Sequence, residues 1–283
     1  MSIKVITASA CDISREMAAD CGLTIVPLKV RFGDEEYLDN VNITHAEFFE
    51  RLTNEQLLPT TSQINAYEYE EVFEKALGEY DEVICVTLSS KLSGTYQSAV
   101  MAAEQFEGRV SVVDSLNVCI GQRILVLSAL DYVKKGYPRQ EIVEKLEEDR
   151  RDIRLIAMLD TLEYLKKGGR ISPTIAFAGA LLSIKPVISI ENGEVALKGK
   201  ARGSKNAKNL LTQFVAESGS IDFEREFCLA YSGLDDTLLQ TYIADSAYLY
   251  EGKADHLPVS QIGPIIGTHV GPGAIALAYF AQK

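Results

Sequence analysis

The chain has 283 residues, of which 47% are hydrophobic and 24% charged, and its formal net charge is −12. This length and composition exclude an intrinsically disordered protein and allow one large core or two smaller ones. The acidic excess argues against nucleic-acid binding, which requires a basic face. The first residues lack an apolar leader, and the five cysteines are widely spaced. We therefore expect a cytoplasmic protein with free thiols, no signal peptide and no membrane span.

Apolar runs alternate with helical patterns through the first half of the chain. Strands are predicted at 4–8, 24–32, 82–88 and 110–114. Helices are predicted at 14–21, 44–52, 65–77, 95–106, 121–135 and 138–151. Asn65 and Glu68 fit a capping box at the start of the third of these helices. Such alternation is typical of α/β proteins and predicts a doubly wound, mainly parallel sheet.

The second half of the chain combines a predicted β-hairpin with helices, which predicts a mixed α+β unit. Its predicted strands are 154–159, 184–191, 194–200, 227–231 and 259–263. Its predicted helices are 161–167, 204–217 with Ser204 as N-cap, 236–249 and 274–280. Asn192-Gly193 between two strand-like runs predicts a two-residue hairpin turn. We place the domain boundary after residue 152, which gives an N-terminal α/β domain at 1–152 and a C-terminal domain at 153–283.

Three segments concentrate hydroxyls, glycines or a lone histidine just before a predicted helix: 60–63, 89–95 and 267–273. The N-terminal end of a helix favours negative charge, so each segment is a candidate anion site. The alternative is structural, because Ser and Thr before helices are commonly N-caps and Gly-Pro-Gly is commonly a turn. Ser93 beside Gly94 resembles a nucleophile, but the spacing identifies no partner base, so we interpret Ser93 as a hydrogen-bond donor.

A basic cluster at residues 166–170 stands out on this acidic chain. Cations at the end of a helix offset its dipole, which is the structural interpretation. An anion contact or a docking loop for a partner is the functional one. The three histidines are too scattered to indicate a metal site.

Seven motifs then occur in an order that resembles one known family, the DegV family of bacterial fatty-acid-binding proteins. The motifs are Thr61-Ser62-Gln63, Leu88-Ser89-Ser90-Lys91-Leu92-Ser93-Gly94-Thr95-Tyr96, Val113-Asp114-Ser115, Leu165-Lys166-Lys167-Gly168-Gly169-Arg170-Ile171, Ile184-Lys185-Pro186, Ala201-Arg202 and His269-Val270-Gly271-Pro272-Gly273-Ala274. Each motif alone is weak, but together they span essentially the whole chain.

The resemblance implies two α/β domains with a long-chain fatty acid between them, its tail in an apolar tunnel. By motif, Thr61, Ser93 and Gly94 would bind the carboxylate. Three further residues would support the head group: His269, Arg170 and Ser62.

The resemblance further implies a carrier rather than an enzyme. In one branch of the family a fatty-acid kinase phosphorylates the bound acid for phospholipid synthesis. The expected partners are thus a fatty acid and, as in that branch, a fatty-acid kinase, with no nucleic acid and at most transient membrane contact. Apart from the bound fatty acid we expect no cofactor, no metal and no catalytic residue.

Two departures from the family pattern fall close to the predicted site. Ala8 replaces the acidic residue of the family's T-D-S, and Ile64 replaces the proline after T-S-Q. Neither departure changes the hydroxyls of Thr61 and Ser93.

Burial of an acyl tail would be strongly favourable. Burying each methylene group contributes roughly 0.8 kcal/mol, so a tail of about fifteen methylene groups contributes on the order of 12 kcal/mol before ordering costs.

Two other hypotheses remain open at this stage. The chain could be an enzyme that acts on a small anionic substrate, with His269 as acid or base. It could also be a regulatory or scaffold protein that docks a partner through residues 166–170.

Overall fold

A computed structural model describes residues 2–54, 58–172 and 184–282. The described strands form three sheets: one parallel, one mixed and one small and antiparallel. The prediction of a mixed α/β fold is confirmed. In the described ranges, none of the helices has a stretch both long and apolar enough to cross a bilayer.

The parallel sheet has four strands in the order β2-β1-β6-β7. The strands are β1 (Ile3–Ala8), β2 (Thr24–Val26), β6 (Glu82–Thr87) and β7 (Val110–Asp114). All three pairings are parallel. Their carboxyl ends therefore meet at one edge of the sheet, where open α/β folds bind ligands.

The mixed sheet has six strands in the order β10-β9-β8-β13-β11-β12. The strands are β8 (Ile153–Met158), β9 (Ile184–Glu191), β10 (Glu194–Arg202), β11 (Phe227–Tyr231), β12 (Val259–Gln261) and β13 (Ile275–Phe280). Asn192 and Gly193, which join β9 to β10, both have positive φ (51° and 85°). The predicted hairpin turn is confirmed, because a type I′ turn requires positive φ at both central positions.

The third sheet, in the order β4-β3-β5, was not foreseen. Its strands are β3 (Lys29–Phe32), β4 (Glu35–Leu38) and β5 (Thr60–Ser62). The predicted strand 24–32 is wrong as a single element, because β2 and β3 belong to different sheets. Pro27 lies at the break and has no N–H to continue a ladder.

Helices cover these sheets and mostly match the predicted ranges. In the first half they are α1 (Arg15–Asp20), α2 (His45–Asn54), α3 (Ala66–Leu77), α4 (Thr95–Ala103), α5 (Cys119–Lys134) and α6 (Arg139–Asp152). In the second half they are α7 (Glu163–Lys167), α8 (Gly203–Glu217), α9 (Thr237–Asp245) and α10 (Pro264–Val270). The capping box of α3 is present, with Asn65 and Glu68 each bonding the other's backbone N–H.

The predicted C-terminal helix 274–280 is wrong. This segment forms β13, which lies in the middle of the mixed sheet between β8 and β11. All six residues of β13 are buried, so the run has no polar face. Periodicity alone cannot assign a short apolar run to a helix or a strand. Here the segment is a strand because it pairs with a neighbouring strand on each side.

Two further helix predictions need correction. The helix α10 was missed, although Pro264 at its first turn is a typical start signal. Ser204 is not the N-cap of α8, because that helix already begins at Gly203 and Arg202 occupies the cap position without a side-chain bond.

One buried apolar cluster includes side chains from the parallel sheet, such as Ile6, and from the mixed sheet, such as Leu155. A second cluster packs α8 and α9 against the mixed sheet, with Leu211 and Leu239 fully buried. The strand β8 starts one residue after α6 ends. The division into domains 1–152 and 153–283 stays a prediction.

Candidate functional site

A cavity of about 380 Å³ is lined by residues of the mixed sheet, of β5 in the small sheet, of α10, and of the segments that follow the parallel strands. Most of its wall is apolar. The mixed sheet supplies Leu155, Ile188 and Ala276, and α10 supplies Ile265 and Ile266. A volume in this range suits a small organic ligand.

Part of the cavity wall is polar, and it contains every residue predicted for the site. Those six residues are Thr61, Ser62, Ser93, Gly94, Arg170 and His269. They come from β5, the turn before α4, the segment after α7, and α10. The three segments singled out in the sequence thus converge at one cavity. The role of each residue in binding stays a prediction.

Thr61 and His269 are joined by a hydrogen bond of 3.0 Å between Oγ1 and Nε2. Thr61 lies on β5, opposite Val30, and not in a loop before a helix as its segment was predicted to be. His269 lies in the last turn of α10, so its segment is a helix end and not a helix start. The pair therefore connects a strand to a helix that are 208 positions apart.

Burial, together with the smaller effect of the nearby Arg170 charge, lowers the pKa of His269 to about 4. The C-terminal end of a helix would favour a protonated histidine. Burial outweighs that effect here, so the imidazole is neutral at pH 7. Its other nitrogen, Nδ1, is buried without a hydrogen-bond partner.

Ser93 lies at the start of α4, where its Oγ accepts a hydrogen bond from the backbone N–H of Thr95 (3.3 Å). The same Oγ is 2.9 Å from the Thr95 hydroxyl. Ser93 therefore supports the start of α4, in keeping with the structural interpretation, although Gly94 holds the N-cap position, and it also lines the cavity. The two interpretations are compatible because a hydroxyl accepts with its lone pairs and keeps one proton to donate.

Gly94 is placed where a side chain would collide with Gln63. A Cβ on Gly94 would lie 2.8 Å from the Gln63 Cδ. The Gln63 amide donates to Ser98 Oγ on α4 (3.1 Å) and also lines the cavity. Gln63 was absent from the predicted site residues, although it belongs to the T-S-Q motif.

Arg170 is the one cation among the described residues of the cavity wall. Its Nε donates to the Leu92 carbonyl (3.1 Å) and its Nη1 to the Gly168 carbonyl (2.6 Å). The guanidinium is thus held between the segment before α4 and the end of α7. Lys166 and Lys167, the other cations of the basic cluster, are exposed in the last turn of α7.

A second, more polar cavity of about 530 Å³ shares Thr61, Arg170 and His269 with the apolar one. Lys167 and Tyr164 line it as well. These three residues therefore lie between the two cavities, with the apolar cavity on one side and the more polar cavity on the other.

The described residues contain no group of three or more His, Cys, Asp and Glu side chains placed to hold a metal ion. All five cysteines are free; four are buried and Cys21 is exposed. Cys119 lines the apolar cavity, where burial raises the pKa of its thiol well above the ordinary value. This thiol behaves as an apolar wall residue.

Comparison with known proteins places the chain in a family. The sequence model of the family described as "Uncharacterised protein, DegV family" matches residues 2–282. A DegV domain-containing protein from Caldanaerobacter subterraneus is 36% identical over 99% of both chains.

The fold is similar to solved structures, one of them of the same family. A DegV family protein from Thermus thermophilus, described as binding fatty acid, is 33% identical with a TM-score of 0.88 over 99% of this chain and 100% of that one. A stearic acid-binding protein from Eubacterium ventriosum is 28% identical with a TM-score of 0.87 over 99% and 98% of the two chains. Sequence and structure agree over the whole length, and the chain belongs to the DegV family.

Proposed function

We propose that this chain binds a long-chain fatty acid, with the acyl tail in the apolar cavity and the carboxylate at its polar wall. The observation that carries the proposal is the pairing of a largely apolar cavity with two hydroxyls, a neutral histidine and one arginine. The related proteins described as fatty-acid-binding support the same ligand class.

The tautomer of His269 decides what Thr61 can offer a ligand. If Nδ1 carried the proton, a buried N–H would have no partner, which native proteins rarely tolerate. Protonation at Nε2 instead lets His269 donate to Thr61 Oγ1. The Thr61 hydroxyl then has its own proton free to donate to a carboxylate.

A carboxylate that leaves water needs such donors, because burying an unpaired charge is costly. Thr61 and Ser93 supply neutral donors, while the Arg170 guanidinium supplies a partly screened positive charge. Since neither hydroxyl neutralises the carboxylate, we infer that it stays reactive toward a partner.

We further propose that the chain is a carrier that presents the bound acid to a fatty-acid kinase. The polar cavity beside Thr61, Arg170 and His269 offers a route by which a partner's reactants could reach the carboxylate. In this proposal the chemistry belongs to the kinase.

The experiment is extraction of the purified protein followed by mass spectrometry, with uptake of added oleate as a second measurement. Wild type should retain fatty acid. Thr61→Ala combined with Ser93→Ala should lower retention at least tenfold, because two donors to the carboxylate are lost. The matched control is Thr241→Ala with Ser204→Ala, which removes two hydroxyls outside the cavity wall.

An unchanged circular dichroism spectrum would show that both double variants are folded. Undiminished retention in the Thr61/Ser93 variant would refute the head-group assignment, and wild type that neither carries nor takes up fatty acid would refute lipid binding. Adding a fatty-acid kinase and ATP to loaded wild type should yield acyl phosphate. If the fatty acid stayed unmodified in that assay, the carrier role would be refuted while fatty-acid binding would stand. If wild type turned over a small anionic substrate and His269→Ala did not, the enzyme hypothesis would be favoured.

A further inference from the structure

A separate cavity of about 600 Å³ opens beside the apolar one and shares Leu155 and Ile190 with its wall. It lies between the end of α6, the start of β8, the β9–β10 hairpin and the end of α8. Neither the sequence motifs nor the proposed lipid site uses it.

Four cations line this cavity, which we call the arginine groove: Arg150, Arg151, Arg154 and Lys198. Two carboxylates, Glu191 and Glu217, lie in the same wall. The groove therefore carries a net positive charge of two on a chain whose net charge is −12.

The two carboxylates already have partners. Glu191 Oε1 accepts from Lys198 Nζ (2.8 Å) and from Ser189 Oγ (3.0 Å). Glu217 accepts from the Gln213 amide (2.7 Å). Within the described part of the chain, neither acid forms an ion pair with an arginine of the groove.

The arginines themselves bond mainly to backbone. Arg154 Nη1 donates to two carbonyls, and Arg150 Nη1 donates to the Asp114 carbonyl (2.7 Å). Arg150 Nη2 lies 3.7 Å from Glu147 Oε1, while its Nε is buried without a hydrogen-bond partner. Within the described part of the chain, neither Arg151 nor Arg154 forms an ion pair.

Helix-end electrostatics explain only part of this charge. Arg150 and Arg151 lie in the last turn of α6, where cations offset the helix dipole. Arg154 and Lys198 lie on strands, so a helix dipole does not explain their positive charges. Lys198 also stands at a β-bulge, between Leu197 and Gly199, and bulges redirect side chains beside binding sites.

We propose that the arginine groove binds a small organic phosphate ester. Guanidinium groups match the geometry of phosphate oxygens and can hold two of them at once. The apolar side chains of Leu116, Ile153 and Phe214 in the same wall can pack against the organic group that is esterified to the phosphate. A small ester fits better than a nucleic acid, because the acidic remainder of the chain repels a polyanion.

The test is isothermal titration calorimetry on the full-length protein at low salt. The probes are glycerol 3-phosphate, glucose 6-phosphate and AMP, with inorganic phosphate as the comparison. At least one ester should bind ten times more tightly than inorganic phosphate. Arg151→Gln with Arg154→Gln should weaken that binding at least tenfold, while Lys134→Gln with Lys205→Gln, which removes two charges elsewhere, should change it less than twofold.

Fatty-acid retention should be unchanged in the arginine variant, which separates this groove from the proposed lipid site. Should the double variant not fold, Arg151→Gln alone alters an exposed side chain and should weaken binding severalfold. Three results would overturn the proposal: no ester binds, inorganic phosphate binds as tightly, or the arginine substitutions leave affinity unchanged.

Discussion

At the scale of single residues, His269 is the side chain whose chemistry depends most on its surroundings. Burial and the Arg170 charge hold its pKa near 4, against an ordinary value of 6.5. Because the folded pKa is depressed, the unfolded chain takes up a proton below about pH 6.5 while the folded protein does not. The stability linked to this group is therefore complete above pH 6.5 and is lost as the pH falls toward 4.

We expect wild type to lose about 2 kcal/mol more unfolding free energy between pH 7 and pH 5 than His269→Gln does. Urea unfolding at both pH values measures the difference. Asp12 and Asp39, whose pKa values burial raises to about 7, act in the opposite direction in both proteins and cancel in the comparison. Parallel pH profiles for the two proteins would contradict a neutral, buried His269.

At the scale of elements, the end of α7 packs directly on the end of α10. Gly168 closes α7, and a Cβ on it would overlap Nδ1 of the His269 ring. Gly169 follows with a φ of 68°, and a Cβ added to it would have no atom within 4 Å. The two consecutive glycines thus have distinct roles, one for close approach and one for the turn.

Gly168→Ala should displace the imidazole, break its bond to Thr61 and lower fatty-acid affinity about tenfold. Gly169→Ala is the matched control, since it adds the same methyl group and strains the backbone by about 1 kcal/mol without touching His269. Binding of a fluorescent fatty acid and thermal unfolding of both variants separate the two effects. Equal affinity losses in the two variants would show that Gly168 does not position His269.

At the scale of the whole molecule, the apolar cavity lies inside the packing between the parallel and mixed sheets. Leu88 and Val118 follow strands or loops of the parallel sheet, while Leu155 and Ala276 belong to the mixed sheet. A ligand that fills this space contacts the mixed sheet and the segments that follow the parallel strands. Its contribution to stability therefore acts on the whole chain and not on one element.

Under the proposed function, removal of the bound fatty acid should lower the thermal unfolding midpoint of wild type. A ligand present at one hundred times its Kd stabilises the folded state by about 2.7 kcal/mol. Calorimetry before and after delipidation measures the shift, and readdition of oleate should reverse it. The Thr61→Ala/Ser93→Ala variant should unfold at the same temperature in both preparations, and a shift of wild-type size in that variant would place the ligand elsewhere.

Much of this fold follows from local sequence signals. The capping box at Asn65, the Asn192-Gly193 turn and the strand at 110–114 were all predictable because their signals lie within a few neighbouring residues. Periodicity also indicated the α/β alternation of the first half. Where signals were weak or contradictory, as at Pro27 and in the segment 274–280, the prediction failed.

Sequence by itself determined the kind of protein: the ordered motifs around Thr61, Ser93 and His269 predicted the family and the residues of the cavity wall. The tertiary structure decided how those residues act. It put Thr61 on a strand and His269 at a helix end, joined them over 208 positions, and assembled the arginine groove from α6, β8 and β10. The physical reason is that pairing between strands, burial and the pKa of a side chain depend on neighbours that are distant along the chain.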